Sequence, residues 1–154
     1  MTSTPEARLE ALGITLPVLP APVANYVPTV QSGNLLYVSG QLPFLDGKIA
    51  VAGKLGGNVS EEDGIKAARI CAINLIAQVK AAVSDLSRVT RIVRLGGFIA
   101  STADFTGQPK IANGASDLLV DVFGDAGRHA RTAAGTNVLP LDAAVEFDAI
   151  FEIA

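Results

Sequence analysis

The stretch before the C-terminal alanine alternates between two kinds of side chain. Every second position from Val145 to Ile153 is apolar, and Glu146, Asp148 and Glu152 occupy three of the four positions between them. Because successive side chains of a β-strand point to opposite faces, this pattern predicts a strand with one face against a core. Such a strand needs a covering layer, so we expect a sheet packed against another element.

Two longer stretches have the period of a helix and can supply that layer. Ser60-Glu61-Glu62-Asp63 resembles a capping box, and apolar residues then recur at three- and four-residue steps up to Val83. A second helical pattern runs from Pro109 to Phe123 and stops before Gly124, a residue typical of helix C-termini. Each helix has one apolar stripe, which predicts that both pack on one face of the sheet.

Short strand-like runs account for most of the remaining chain. They are residues 27–31, 35–39, 49–52, 89–99, 131–138 and 145–153. The sequence therefore predicts an α/β protein of the α+β type, with a mixed six-stranded sheet and two helices on one face. No third long helix is available for the opposite face, and self-association is the economical way to cover it.

The first 25 residues differ from the rest. Residues 5–12 can form a short helix, and the prolines between Leu16 and Pro22 then favour an extended connector, because each restricts the residue before it. We therefore expect an N-terminal extension and proline-rich connector at 1–25, followed by a single domain at 26–154.

Charge and cysteine content limit the classes of partner. The net charge of the chain is −3, whereas proteins that bind the phosphate backbone of nucleic acids usually have a positively charged surface. A nucleic acid partner is therefore not expected. The single cysteine, Cys71, has no cluster of metal-binding side chains near it in the sequence and is predicted to be a core residue, with no metal site. Charged residues near the start and the lack of a long apolar run favour a cytoplasmic protein without a membrane segment.

Arg131 and Glu146 are the candidates for binding and proton transfer. An arginine presents a planar fork of donors that suits a carboxylate, and a glutamate can act as a general base. Both residues can also be explained without a function. Arg131 can be solvated or paired with Glu152, and Glu146 can lie on the solvent-exposed face of its strand. Taken one at a time, Tyr26, Ser39 and Asn113 are uninformative.

Taken together, these residues resemble a known family. Tyr26 lies thirteen residues before Ser39, Arg131 lies nine before Pro140, and Glu146 lies six after Pro140. With the turn-flanked segment from Ser39 to Pro43 and with Asn113, this spacing is similar to that of the Rid (YjgF) family of reactive intermediate deaminases. Some members of that family are called translation inhibitors or L-PSP endoribonucleases. The resemblance runs from about Tyr26 to the C-terminus.

The resemblance implies a fold, an assembly and a chemistry. The fold is chorismate-mutase-like, and the assembly is a homotrimer with pockets between subunits. In such a pocket, Arg131 binds the carboxylate of a small 2-imino acid and Glu146 positions or activates the attacking water. Tyr26, Ser39, the Gly40 backbone and Asn113 line the pocket, no cofactor is required, and the products are a keto acid and ammonia.

Departures from the family pattern keep other functions open. The better-studied deaminases commonly have a cysteine two residues after the arginine, where this chain has Ala133. His129, beside Arg131, is either a polar loop residue or part of substrate binding. A non-catalytic trimer that binds a small metabolite is therefore the alternative. An endoribonuclease or translation inhibitor is the third possibility, although the chain is acidic and has only one histidine.

The distance between Arg131 and Glu146 predicts where the pocket lies. If Leu141-Asp142 closed a tight hairpin, the two residues would be offset by six positions, roughly 20 Å at the rise of a strand. Either the two strands are not neighbours, or Arg131 of one subunit meets Glu146 of another. We favour the second arrangement, which makes the pocket depend on assembly.

Overall fold

The computed structural model describes residues 3–154 and is of the predicted mixed α+β class. Its helices are α1 Pro5–Ala11, α2 Glu61–Val83 and α3 Gln108–Phe123. Its strands are β1 Thr29–Ser32, β2 Leu35–Gln41, β3 Phe44–Leu45, β4 Lys48–Ile49, β5 Val89–Ala100, β6 Ala130–Thr136 and β7 Val145–Ile153. None of the helices in the described range has the length and apolar character needed to cross a membrane.

Five strands form the main sheet in the order β1-β2-β7-β5-β6. Only β5 and β6 run parallel, and the other neighbouring pairs are antiparallel. A parallel pair needs a long crossover between its strands, and α3 provides it between β5 and β6. The sheet is therefore mixed, as the sequence predicts.

The predicted count of six strands in this sheet is wrong. In the segment predicted as a strand at 49–52, Ile49 belongs to a separate two-stranded ribbon of Phe44–Leu45 with Lys48–Ile49, and Ala52 makes an isolated antiparallel bridge to Ala143. Asp46 and Gly47 close that ribbon, with φ of 53° and 78°. Positive φ at both central residues is the geometry of a tight hairpin turn, so the segment folds back on itself instead of joining the main sheet.

One face of the sheet forms the floor of the core. On β7 the buried positions alternate with half-buried ones along the whole strand, and those facing the helices are Val145, Phe147, Ala149, Phe151 and Ile153, none more than 4% exposed. Helices α2 and α3 pack over this face. Cys71, on α2, is fully buried in the same core, as predicted.

The two long helices approach closely at Gly114. Helix α2 begins where the sequence predicts, because the Ser60 hydroxyl accepts a hydrogen bond from the Asp63 amide at 3.1 Å. In α3, a methyl group added at Gly114 would overlap the backbone carbonyl oxygen of Ile65 on α2. A glycine in mid-helix usually weakens the helix, so its presence here is explained by the close approach of the two backbones.

The N-terminal helix packs on the ends of the two long helices. Leu9 is 4% exposed in the main core. The Glu6 carboxylate accepts hydrogen bonds from the Leu86 amide at 2.6 Å and from the Lys80 ammonium at 3.0 Å. The predicted short helix is confirmed, and it contacts the domain. The predicted boundary at residue 26 stays a prediction.

Replacing Gly114 with alanine should destabilise the protein even though alanine is the better helix former. The added methyl group meets backbone rather than a movable side chain, so the helices must separate, and overpacking of this kind costs about 1–3 kcal/mol. The free energy of unfolding can be measured by urea denaturation. Asp121→Ala, at an exposed position of the same helix, is the control and should be neutral or slightly stabilising. Equal stability of Gly114→Ala and wild type would contradict the close approach.

Candidate functional site

Arg131 lies on the helix-covered side of the sheet, at its edge. On the neighbouring strand it is opposite Leu95, and Leu95 is in turn opposite Ala149. Both of those side chains are buried beneath the helices. Because residues opposite one another across a sheet point to the same face, Arg131 points to that face too. β6 is the last strand of the sheet, so the charged group reaches the rim of the core and stays partly exposed.

Helix α3 holds one end of the Arg131 guanidinium. Its Nη1 donates to Asn113 Oδ1 at 2.8 Å and to Ser116 Oγ at 3.1 Å. Its Nη2 has one long contact, 3.4 Å, to the carbonyl oxygen of Pro109. Within residues 3–154 these are the hydrogen bonds that the guanidinium makes, and none of them uses Nε. Apart from the long Pro109 contact, the Nε–Nη2 edge has no protein partner among these residues, and its remaining hydrogens can donate to a planar anion.

His129 adjoins this cluster through Ser116. The His129 Nδ1 lies 2.6 Å from the carbonyl oxygen of Gly127, and Nε2 lies 2.9 Å from Ser116 Oγ. A carbonyl can only accept, so Nδ1 carries the hydrogen. Burial lowers the pKa of His129, and the nearby Arg131 charge lowers it further, against the opposing effect of the Gly127 hydrogen bond. In the neutral ring Nε2 is then an acceptor, and Ser116 donates to it.

The cluster opens on a surface groove of about 660 Å³. Its lining residues are Ser116, Asp117, Val120, Asp121, Arg128, His129 and Arg131. Asn113, His129 and Arg131 are among the residues predicted from the sequence, and the structure brings these three together. Ser116 is not among the predicted residues. The available signal was helical spacing, because residues three apart lie on the same side of a helix and Ser116 is three after Asn113.

Glu146 lies on the opposite, uncovered face of the sheet. It pairs with Phe98 on β5, whose side chain is 44% exposed. On β2, the residues between Val38 and Gln41 form a bulge opposite β7, and a methyl group added at Gly40 would overlap the Glu146 carboxylate. The structure thus brings Gly40 and Glu146 together. A side chain at position 40 would displace the Glu146 carboxylate from its present place.

Burial raises the pKa of the Glu146 carboxyl above its ordinary value, and the negative charge of Asp148 raises it further. Asp148 lies two residues along the same face of β7 and pairs with Arg94 at 3.3 Å. A carboxyl group whose pKa is moved toward neutrality is a better general base at neutral pH than an ordinary one. The raised pKa therefore makes Glu146 a suitable candidate for proton transfer.

Ser39 and Tyr26 flank the bulge without reaching Arg131. The Ser39 hydroxyl donates to the carbonyl oxygen of Val27 at 2.8 Å, and the Ser39 amide donates to that of Pro28 at 2.9 Å. These bonds tie the end of the connector to β2. Tyr26 precedes the tied segment, and its side chain is 59% exposed. Ser39 thus places the connector beside Gly40, and Tyr26 is free to meet a ligand or a neighbouring chain.

The candidate residues form two half-sites on opposite faces of one sheet. The first consists of Asn113, Ser116, His129 and Arg131, and the second consists of Gly40 and Glu146, with Ser39 and Tyr26 beside them. Strands β6 and β7 are not neighbours, because β5 lies between them. Two strand spacings sideways and three residues along give roughly 14 Å between the Cα atoms of Arg131 and Glu146. One chain therefore does not combine the two side chains on one small ligand.

Comparison with known proteins places the chain in one group. Residues 6–151 match the protein family described as "YjgF/chorismate_mutase-like, putative endoribonuclease". Protein TCP17 of Trypanosoma cruzi is 49% identical over 148 residues, which cover 96% of this chain and 92% of that protein. The solved structure of Atu1372 from Agrobacterium tumefaciens, a protein of unknown function, is 54% identical with a TM-score of 0.92, covering 97% and 92% of the two chains. A "putative endoribonuclease" from Shewanella oneidensis is 40% identical with a TM-score of 0.95, covering 98% and 100%.

Replacing Glu146 with glutamine should stabilise the protein at neutral and alkaline pH. Since the folded-state pKa is raised, the ionised carboxylate is better solvated in the unfolded chain, and wild type loses stability as the pH rises above the unfolded value of roughly 4.3. We expect the variant to melt at a higher temperature than wild type at about pH 8 and the difference to disappear near pH 4. Melting temperatures of wild type and variant, measured by thermal denaturation between pH 4 and about pH 8, test this prediction.

The control for this experiment is Glu10→Gln, at an exposed position of α1. Its melting temperature should follow that of wild type at every pH. A Glu146→Gln variant that melts below wild type at alkaline pH would show that the carboxylate is stabilised rather than penalised by its surroundings.

Proposed function

The chain belongs to the YjgF/chorismate mutase-like family, and we propose that it hydrolyses reactive enamines and imines derived from small 2-imino acids to keto acids and ammonia. The observation that carries this proposal is the open Nε–Nη2 edge of Arg131, a guanidinium already oriented by Asn113 and Ser116. A planar, fixed and partly desolvated fork of donors is suited to a carboxylate bound through both oxygens. The substrates are accordingly small molecules with a carboxylate next to the imine.

Glu146 supplies the base in this reaction. It takes a proton from water as the water oxygen attacks the carbon of the protonated imine, whose carbon–nitrogen double bond becomes single, and this gives a neutral amino alcohol. Glu146 then returns that proton to the amine nitrogen, ammonia leaves as the carbon–oxygen double bond forms, and the hydroxyl proton is released to solvent. No electrons are exchanged with a cofactor. The raised pKa of Glu146 supports this role, because the proton transfers run in both directions during one turnover.

The two half-sites meet between subunits of a homotrimer in this proposal. The uncovered face of the sheet supports it, because that face exposes Val30, Tyr37 and Phe98 to between 44% and 53%. Exposed apolar side chains in one surface favour burial against a second copy. Arg131, on the edge strand, is then available to face Glu146 of a neighbouring chain. A cytoplasmic location belongs to the same proposal, as the compartment where such intermediates arise.

A trimer that binds small carboxylates without turning them over is the second candidate. The observation that favours it is Ala133, which packs against the core at the position of the family's usual cysteine. The pocket therefore has no thiol at that point to contact a substrate. The endoribonuclease named for the Shewanella oneidensis relative is a third candidate, and RNA incubated with the protein at low salt, where phosphate contacts are strongest, tests it directly.

The deaminase proposal is tested by generating imines of 2-aminoacrylate in solution and measuring the release of keto acid. We expect wild type to exceed the spontaneous rate and Arg131→Ala to fall close to it. Glu146→Gln should be slower by roughly a hundred- to ten-thousand-fold, the usual contribution of a general base. Arg69→Ala, an exposed arginine on α2, is the matched control and should equal wild type.

Two outcomes of this experiment decide between the candidates. Equal rates of keto-acid release for wild type and Arg131→Ala would contradict the deaminase proposal. No acceleration by wild type, together with Arg131-dependent binding of pyruvate in calorimetry, would establish the binding protein instead.

The proposed assembly makes a separate prediction. Tyr37→Asp places a charge on the uncovered face, three residues along β2 from Gly40, and should dissociate the trimer because an unpaired charge is costly to bury. Light scattering coupled to gel filtration measures the mass, and calorimetry with pyruvate measures binding. We expect the Tyr37→Asp variant to be monomeric and no longer to bind pyruvate. Val18→Asp, in the exposed connector, is the control and should remain trimeric. Monomers that still bind would show that the pocket lies within one chain.

A further inference from the structure

Arg131 is held by a chain of three hydrogen bonds that ends on the backbone. Arg131 Nη1 donates to Ser116 Oγ, the Ser116 hydroxyl donates to His129 Nε2, and His129 Nδ1 donates to the carbonyl oxygen of Gly127. The direction of every bond is set, because the guanidinium can only donate and the carbonyl can only accept. Ser116 and His129 must then each accept one bond and donate the next.

We propose that Ser116 and His129 are positioning residues that fix the Arg131 guanidinium so that its Nε–Nη2 edge faces the ligand. The inference rests on the proposed role of Arg131 in binding a carboxylate. This chain of hydrogen bonds, called the relay below, determines which donors of the guanidinium are left. Asn113 and Ser116 accept the two hydrogens of Nη1, Nη2 has one long contact to Pro109, and Nε has no protein partner within residues 3–154. His129 acts through Ser116, since its two nitrogens are both occupied by protein atoms.

The relay compensates for the position of Arg131 at the rim of the sheet. An arginine side chain has several rotatable bonds, and ordering one costs up to about 2 kcal/mol of conformational free energy. The bond from Arg131 to Asn113 is exposed to water, whereas the bonds from Arg131 to Ser116 and between Ser116 and His129 are partly buried. The partly buried bonds therefore order the guanidinium before the ligand arrives, and preorganisation of this kind increases affinity.

The position of the histidine in the relay depends on the local backbone. A short 3-10 turn at Gly124–Gly127 follows α3 directly and ends just before β6. It places the Gly127 carbonyl beside the ring, two residues before His129 in the chain. The middle of α3 and the turn that follows it thus both contact one side chain, and the relay connects the helix that carries Ser116 to the strand that carries Arg131.

The test combines binding with a measurement of the guanidinium itself. Calorimetry with pyruvate measures affinity, and nitrogen NMR of the Arg131 Nε–H measures the order of the side chain. We expect Ser116→Ala and His129→Ala to bind pyruvate about tenfold more weakly, the order expected for loss of one hydrogen bond to a charged group, and to give a mobile Nε–H. In the deaminase assay the change should appear in KM and leave kcat within about twofold.

Conservative variants separate positioning from folding. His129→Gln keeps an acceptor near the place of Nε2, and Ser116→Thr keeps the hydroxyl, so both should restore most of the affinity. Ser87→Ala, at an exposed position of another turn, is the matched control and should equal wild type. A failure of His129→Gln and Ser116→Thr to restore order at Arg131, with the fold intact, would overturn the relay.

The possible failures can be told apart. If wild type binds pyruvate and the alanine variants bind equally well with a rigid Arg131, the positioning proposal is wrong and the carboxylate site stands. If wild type binds no pyruvate but the alanine variants release the Arg131 side chain, the proposed function is wrong and the relay stands.

Discussion

The structure depends on the burial of one face of β7. This strand lies in the middle of the sheet, with β2 on one side and β5 on the other, and its apolar positions form the floor on which α2 and α3 pack. Burying two phenylalanines, Phe147 and Phe151, removes a large apolar area from water, at roughly 25 cal/mol per Å². Because side chains alternate along a strand, that burial also sends Glu146 to the other face.

The same alternation, carried across neighbouring strands, separates the functional residues. Leu95 and Ala149 lie in one row with Arg131, so the arginine belongs to the helix-covered side of the sheet. A charged residue is tolerated in that row only because β6 is the edge strand, where polar side chains of α3 replace core contacts. The chain thus presents the Arg131 cluster on one face of the sheet and the Glu146 carboxylate on the other. A pocket that uses both follows most directly from assembly.

Close backbone approaches decide where each half is placed. Gly114 lets α3 come near α2, and α3 in turn carries Asn113 and Ser116 to the edge of the sheet. The bulge at Ser39-Gly40 interrupts the regular pairing of β2 with β7, and the missing side chain of Gly40 leaves room for Glu146. In both places a larger residue would displace a neighbouring group, the backbone of Ile65 in one case and the Glu146 carboxylate in the other, so the packing of the fold and the geometry of the candidate site share the same constraint.

Local patterns in the sequence determined most of the secondary structure. Alternation marked β7 and helical spacing marked α2 and α3, because each of these signals depends on near neighbours in the chain. The spacing of Tyr26, Ser39, Arg131 and Glu146 indicated the family. Strand order, by contrast, depends on which distant segments bury each other best. Only the tertiary structure could therefore show that the 49–52 segment leaves the main sheet, that β5 separates β6 from β7, and that Ser116 joins Arg131 to His129.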